Sequence, residues 1–388
     1  MGAFLSGGLD SAMIVAIMAK DLGINFKTFA IGVQELDFDE TPYARMVAQH
    51  YHTDHIEQHV SADLIHSLPK IIWHLDEPSD PIAACMYQAG KLASRHVKVV
   101  LGGDGGDELF AGFDRYQGNG YIQIYRLLPT LFREQMIPSL LDQLPDSFTY
   151  NSTTQKIRWV HELSKISDPG MRYAAATCFF RFNHHAKYQL YTPDTWNILG
   201  SINSASVISN QYDNADSENP LDRMLFSDYL TRLPEHSLML VDRMTMAHGV
   251  EARSPFLDHE LVEFMATLPS HLKVRGRQAK YLLRQLAKEY LPERIVNRKK
   301  QGFGFPIAYW SRKDLYPTLD RFLMDSYFVR SGLFRKENIQ WLLISHKNNR
   351  VDNHVRLWML LNLDIWHRMY IEKQPVDIIE HELIATQP

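Results

Sequence analysis

Four short strand-like stretches in the first 101 residues, apolar or alternating and separated by segments of helical pattern, constrain this chain more than any other feature. Gly2–Leu5, Phe26–Gly32, His55–Val60 and Val97–Leu101 read as strands, and Ser11–Lys20, Pro42–His50 and Ala83–Arg95 read as helices. Strands joined through helices pair in parallel with right-handed crossovers, so the expected fold is α/β, a doubly wound parallel sheet. Such a sheet takes its ligand at the carboxyl ends of its strands, where the strand order reverses. Past about Tyr116 the texture changes. Long amphipathic segments such as Leu221–Leu240 and Ala279–Tyr290 dominate, and the polar Asn203–Pro220 stretch reads as an exposed loop. The expected organisation is an α/β core over residues 1–115 and a mainly helical part over 116–388 that packs on the sheet and completes the site.

The first strand runs straight into "SGGLDS", Ser6 to Ser11. Gly7 and Gly8 let a backbone approach a ligand closely, Ser6 and Ser11 add hydroxyl donors, and the helix behind them presents unpaired N–H groups. Together these make an anion cradle. Asp10 is the odd member, because a carboxylate repels an anion unless a cation lies between them. It therefore points to bound Mg²⁺. The loop lacks the lysine of the G-x-x-x-x-G-K-[ST] pattern, which sets it apart from that class of phosphate-binding loop. A plain strand-to-helix turn capped by Asp10 or Ser11 is the alternative.

The fourth strand ends in "GGDGGDELFAGF", where Gly102, Gly103, Gly105 and Gly106 surround Asp104, Asp107 and Glu108. With the second and third strands on one side of the first and the fourth on the other, the two glycine-acid loops face each other at the switch point. Asp10 and Asp107 would then hold one Mg²⁺ against a polyphosphate. Such a site also needs a cation where charge develops in the transition state. Lys280, one helical turn from Arg284 in "KYLLR", is the candidate, although an exposed helix lysine is the commoner fate of that residue. Arg298, Lys299 and Lys300 lie nearby in sequence. Asp242, Arg243, Glu251 and Arg253 sit among apolar residues. They read either as a buried ion-pair lattice, which could shape an acceptor pocket, or as direct participants in catalysis.

A net charge of −4 and a pI near 6.5 give no electrostatic support to nucleic-acid binding. No apolar run reaches the roughly 18 residues of a membrane span, and the N-terminus has no secretory pattern. Cys85 and Cys178 lack metal-ligand spacing and fit a reducing compartment, so a cytoplasmic location is expected.

With these motifs assembled, the chain resembles the synthetase domain of the glutamine-dependent asparagine synthetases, within the pyrophosphatase-loop ATP enzymes. The resemblance rests on "FLSGGLDS", "FAIGV", "DEPSDPIA", "VVLGGDGGDELFAGF", "DRMTMAHGVEARSPFLDH", "KYLLR" and "KKQGFGFPIAYW", which in order and spacing cover nearly the whole chain. It implies an adenine nucleotide alpha hydrolase-like fold, ATP and Mg²⁺, and adenylation of a carboxylate followed by displacement of AMP by ammonia. Carried over, Ser6, Gly7, Gly8, Asp10 and Ser11 would hold the pyrophosphate end of ATP, while Leu5, Ile31, Gly102 and Gly103 flank adenosine. Asp10 and Asp107 would bind the metal. Lys280 would offset charge at the α-phosphorus, with Lys300 assisting. Asp104 stands where the family often carries glutamate, a departure at a position tied to adenylate formation.

No counterpart of the family's N-terminal glutaminase domain, with its leading cysteine nucleophile, is expected in these residues, since the first strand is read as starting beside Met1. The expectation is a fragment or truncated product. Ammonia would come from solution or from a separate glutaminase domain or subunit. The expected reaction converts aspartate to asparagine. The alternatives are an amidotransferase acting on a cell-envelope sugar acid or peptide carboxylate, and a catalytically silent synthetase-like module. No nucleic-acid or membrane partner is expected, and a homodimer is left open.

Overall fold

The computed structural model describes residues 1–143, 153–299 and 305–386. Two compact units divide the chain: Met1–Ser61, Ile82–Gln117 and Ala215–Phe305 form the first, and Ala62–Pro81, Gly118–Asn214 and Pro306–Pro388 the second.

The first unit holds a parallel five-stranded sheet. Its early elements are β1 (Gly2–Phe4), α1 (Leu9–Lys20), β2 (Lys27–Val33), α2 (Thr41–His50), β3 (Asp54–Val60), α3 (Pro81–Ser94) and β4 (Val99–Leu101). The strand order is β3-β2-β1-β4-β5, with β5 at Glu251–Arg253. Gly2 of β1 aligns with Lys27 on one side and Val100 on the other, so chain direction reverses its march between β1 and β4. That is the switch point expected from the sequence. All pairs are parallel, as crossover helices require.

Burial explains the composition of these elements. Ala12 through Ala16 of α1 are all buried, so the helix carries apolar residues all round instead of one stripe. It packs with Leu5, Phe26, Val47, Leu283 and Ile295 into one cluster. The other face of the sheet buries Phe29, Val100 and Val250. The fifth strand was not expected beyond residue 116. "EAR" is short and polar, and only its pairing with β4, Val99 opposite Glu251, makes it a strand. Charge along a sheet edge also opposes unwanted pairing.

Two local expectations are corrected. Ser206–Asn214, inside the stretch read as a loop, is a helix with Ser209 and Tyr212 buried, and Tyr212 packs against Tyr173 with ring centroids 5.8 Å apart. That packing overrides a turn-rich composition. Leu221–Leu240 is not one helix but Pro220–Leu230, a π-helical turn at Leu233–Leu238, and the start of Met239–Met246.

The second unit is helical. Its longest helix, His354–Tyr370, buries Leu357, Trp358, Leu361 and Ile365. Asn362 on that helix accepts from the Ser79 N–H at 3.0 Å and the Ser79 hydroxyl at 2.5 Å in the interior. No helix among the described residues is long and apolar enough to cross a membrane.

Candidate active site

Both glycine-acid loops lie in the first unit at the carboxyl ends of β1 and β4. Their contact is close. A Cβ on Gly103 would stand 2.7 Å from the Ser11 amide nitrogen, and one on Gly106 would stand 2.8 Å from the Asp10 Cγ. Only glycine permits this approach, so the second loop spells glycine because the first loop is against it.

In the first loop the polar groups satisfy one another. The Ser6 N–H donates to Ser11 Oγ at 3.2 Å, Gly8 N–H donates to Ser6 Oγ at 3.3 Å, and Ser11 Oγ donates to the Gly8 carbonyl at 3.2 Å. Gly8 is the N-cap of α1 and no side chain caps it. The helix therefore offers its first-turn N–H groups, and its positive dipole end, to an anion.

Lys280 joins the two loops. Its ammonium donates to Asp10 Oδ2 and lies 2.6 Å from Asp107 Oδ1, and the residue is only 5% exposed. Burial opposes its charge, but the two carboxylates more than offset that, leaving its pKa above the ordinary lysine value. Lys280 does stand one helical turn before Arg284, whose N–H donates to its carbonyl at 2.8 Å, but at the helix edge and not inside it. It is the N-cap of α4 (Tyr281–Ala287) in left-handed conformation at φ 54°, preceded by a two-residue strand Gln278–Ala279 paired with Val274–Arg275. A bulky residue held there carries strain, a state found most often at functional sites.

Asp10 Oδ1 is buried without a hydrogen-bond partner. An unpartnered carboxylate oxygen beside a lysine-bridged pair of acids fits a divalent metal. Two carboxylates are too few to enclose Mg²⁺, which usually completes its shell with phosphate oxygens and water. Asp104 is half-buried beside them. Burial first, with help from the Asp10 and Asp107 charges, pushes its pKa up to about 6. Glu108 is 2% exposed, and burial together with Asp107 raises it to about 7.

The remaining expected residues fall variously. Leu5 and Ile31 line one apolar cavity of about 50 Å³ with Phe29, Thr41 and Met86, while Gly102 and Gly103 do not line it. Glu251 and Arg253 pair with each other at 3.0 Å, with side chains 45% and 70% exposed, and Asp242 is exposed. The buried ion-pair lattice is therefore not what this segment forms, because a parallel edge strand turns these side chains outward. The Arg253 carbonyl does accept from Gly102 N–H at 2.9 Å and so braces the second loop. Lys300 lies outside the described residues.

Sequence reasoning assigned no role to Arg298, Glu40 and Tyr43. Arg298 donates to the Gly7 carbonyl at 3.0 Å, pairs with Glu40 at 2.6 Å and lies over the Tyr43 ring at 3.9 Å. It fixes the first loop from behind. Its place in a run of three basic residues, "RKK", gave no sign of this. Gly112 was also missed. A Cβ there would collide with both Asp107 and Lys280.

The family model described as Asparagine synthase matches residues 1–368, and the chain belongs to that family. It is 30% identical over 379 residues to "Asparagine synthetase [glutamine-hydrolyzing] 1" of Bacillus subtilis, an alignment covering 96% of this chain and 57% of that protein. A Mycobacterium bovis protein provisionally named asparagine synthetase [glutamine-hydrolyzing] is 29% identical over 100% of this chain and 57% of its own. "Amidase chyE" of Penicillium rubens is 23% identical over 87% of this chain and 52% of its own. The chain thus spans little more than half the length of these relatives.

Proposed function

We propose that the chain is the synthetase part of an ATP-dependent amide-forming ligase, with the side-chain carboxylate of aspartate as acceptor and ammonia as nucleophile. The observation that carries this reading is the convergence of Asp10, Asp107 and Lys280 between two glycine loops at the switch point. The two Bacillus and Mycobacterium relatives carry the asparagine synthetase name, which favours aspartate.

In this reading the α1 N-terminus with Ser6 and Ser11 binds the pyrophosphate end of ATP. Leu5 and Ile31 contribute apolar contacts to the adenosine, and the 50 Å³ cavity opens to admit it. Asp10 and Asp107 would hold Mg²⁺, which neutralises phosphate charge when bound. Lys280 contacts the same two carboxylates, and in this reading its ammonium would face the α-phosphorus. An aspartate carboxylate oxygen bonds to that phosphorus as its bond to the pyrophosphate oxygen breaks. Lys280 offsets the charge that builds on the phosphoryl oxygens, and Lys300 assists. Ammonia then adds to the acyl carbon, AMP leaves with the carboxylate oxygen, and the surplus proton is released. A separate glutaminase domain or subunit, or solution, supplies the ammonia.

Asp104 supports the second reading, a different carboxylate acceptor such as a sugar acid or peptide. Its side chain is one methylene shorter than the glutamate often found there in family members. ATP–pyrophosphate exchange measured with aspartate and with other carboxylates separates the two. Exchange that requires aspartate supports the first; exchange that ignores aspartate and follows another carboxylate overturns it, and none at all overturns both.

A further inference from the structure

The second unit contains a polar cavity of about 200 Å³ at the carboxyl-terminal end of helix His354–Tyr370, remote in sequence from the glycine loops. Arg321, Tyr327, Arg330, Asp364 and Arg368 are among its lining residues. Most of its charges are already matched. Arg368 donates to Gln374 at 2.9 Å and Glu382 at 2.8 Å, Gln374 donates to Glu372 at 3.0 Å, and Arg330 approaches Asp325 at 3.9 Å.

Two groups are left over. Asp364 is 3% exposed, its carboxylate is bonded by the Tyr327 N–H, and its Oδ1 is buried with no hydrogen-bond partner. Arg321, at the rim, makes no ion pair or hydrogen bond with any described residue. The acid and the guanidinium line one cavity, yet they do not pair with each other. A buried carboxylate oxygen without a donor is costly, so a cavity that keeps one unmatched suits a ligand that brings the donor. A water molecule occupies about 30 Å³, so the space admits a ligand of several heavy atoms.

We propose that this cavity binds a small free α-amino acid, its ammonium on Asp364 and its carboxylate on Arg321. One zwitterion matches both leftover groups at once. A simple cation would leave Arg321 unmatched, and a simple anion would leave Asp364 unmatched.

Calorimetric titration of the whole chain with L-alanine, L-serine and L-asparagine in turn, in the absence of ATP, tests this. N-acetyl-L-alanine lacks the ammonium and L-alaninamide lacks the carboxylate. At least one free amino acid is expected to bind, and neither blocked analogue. Arg321→Met alters an exposed side chain and leaves the interior intact; it and Asp364→Asn should each weaken binding about tenfold or more. Asp107→Asn, in the other unit, should leave that binding unchanged, which separates it from acceptor binding at the glycine loops. The proposal falls if none of the three amino acids binds, if a blocked analogue binds equally well, or if Arg321→Met keeps wild-type affinity. It falls too if Asp107→Asn alone abolishes the binding. None of these results depends on the chain being a ligase.

Discussion

Lys280→Met is the most informative single change. Methionine keeps the stem length and the left-handed backbone strain, so the variant differs chiefly in lacking the ammonium. In the wild type that ammonium is 5% exposed and bridges Asp10 and Asp107, whose side chains are each about 20% exposed. Removing one member of a fully buried ion group costs about 3–5 kcal/mol. Partial exposure of the acids brings the expected loss to about 2–3 kcal/mol at pH 7. Urea denaturation in EDTA measures it. If the two acids hold the metal as proposed, millimolar Mg²⁺ should restore most of the loss, while the wild type gains little. Lys280→Met combined with Asp107→Asn should also recover stability, because only one acid then lacks a counter-charge. A loss below about 0.5 kcal/mol in EDTA, or one that Mg²⁺ leaves untouched, would refute the shared-carboxylate reasoning.

Three further outcomes follow from the geometry. Gly112→Ala puts a Cβ against Asp107 and Lys280 and should lower ATP–pyrophosphate exchange by at least about a hundredfold, with the far-ultraviolet circular dichroism unchanged. Arg298→Met removes the donor to the Gly7 carbonyl and should raise the KM for ATP about tenfold while kcat changes less, as read from initial rates. His346 in the second unit is fully buried, accepts from the Asn353 N–H and shares a hydrogen bond with Ser311, and burial lowers its pKa to about 4. Its ordinary value is about 6.5, so the unfolded chain binds the extra proton first. Its stabilising share is full above pH 6.5 and declines as the pH falls toward 4. The stability gap between wild type and His346→Asn should therefore narrow by about 3 kcal/mol over that window, measured by urea denaturation at each pH. A constant gap would show that His346 does not titrate as the structure implies.

Residues that declare their environment locally were the legible ones. The apolar β1, β2 and β4 segments, with helices between them, specified both the parallel sheet and the reversal beside β1. The glycines and acids of the two loops marked their own meeting, since close approach demands glycine and a shared cation demands paired acids. What depended on distant partners could not be read. Glu251–Arg253 becomes a strand only through β4, and Ser206–Asn214 becomes helical only through packing of Tyr212. Lys280 was found, and its one-turn spacing to Arg284 holds, but its place at the helix edge was not read, because "QAKYLLR" hides a break between a short hairpin and α4. Arg298 reaches the first loop across nearly three hundred residues of sequence, and nothing in its neighbours announces the contact.

The central claim is that the two loops clamp a metal-bound triphosphate, and Mn²⁺ resonance with a non-hydrolysable ATP analogue tests it most directly. The account predicts one bound Mn²⁺ with phosphorus coupling in the wild type, and loss of that signal in both Asp10→Asn and Asp107→Asn. An undiminished phosphorus-coupled Mn²⁺ signal in either variant would contradict it.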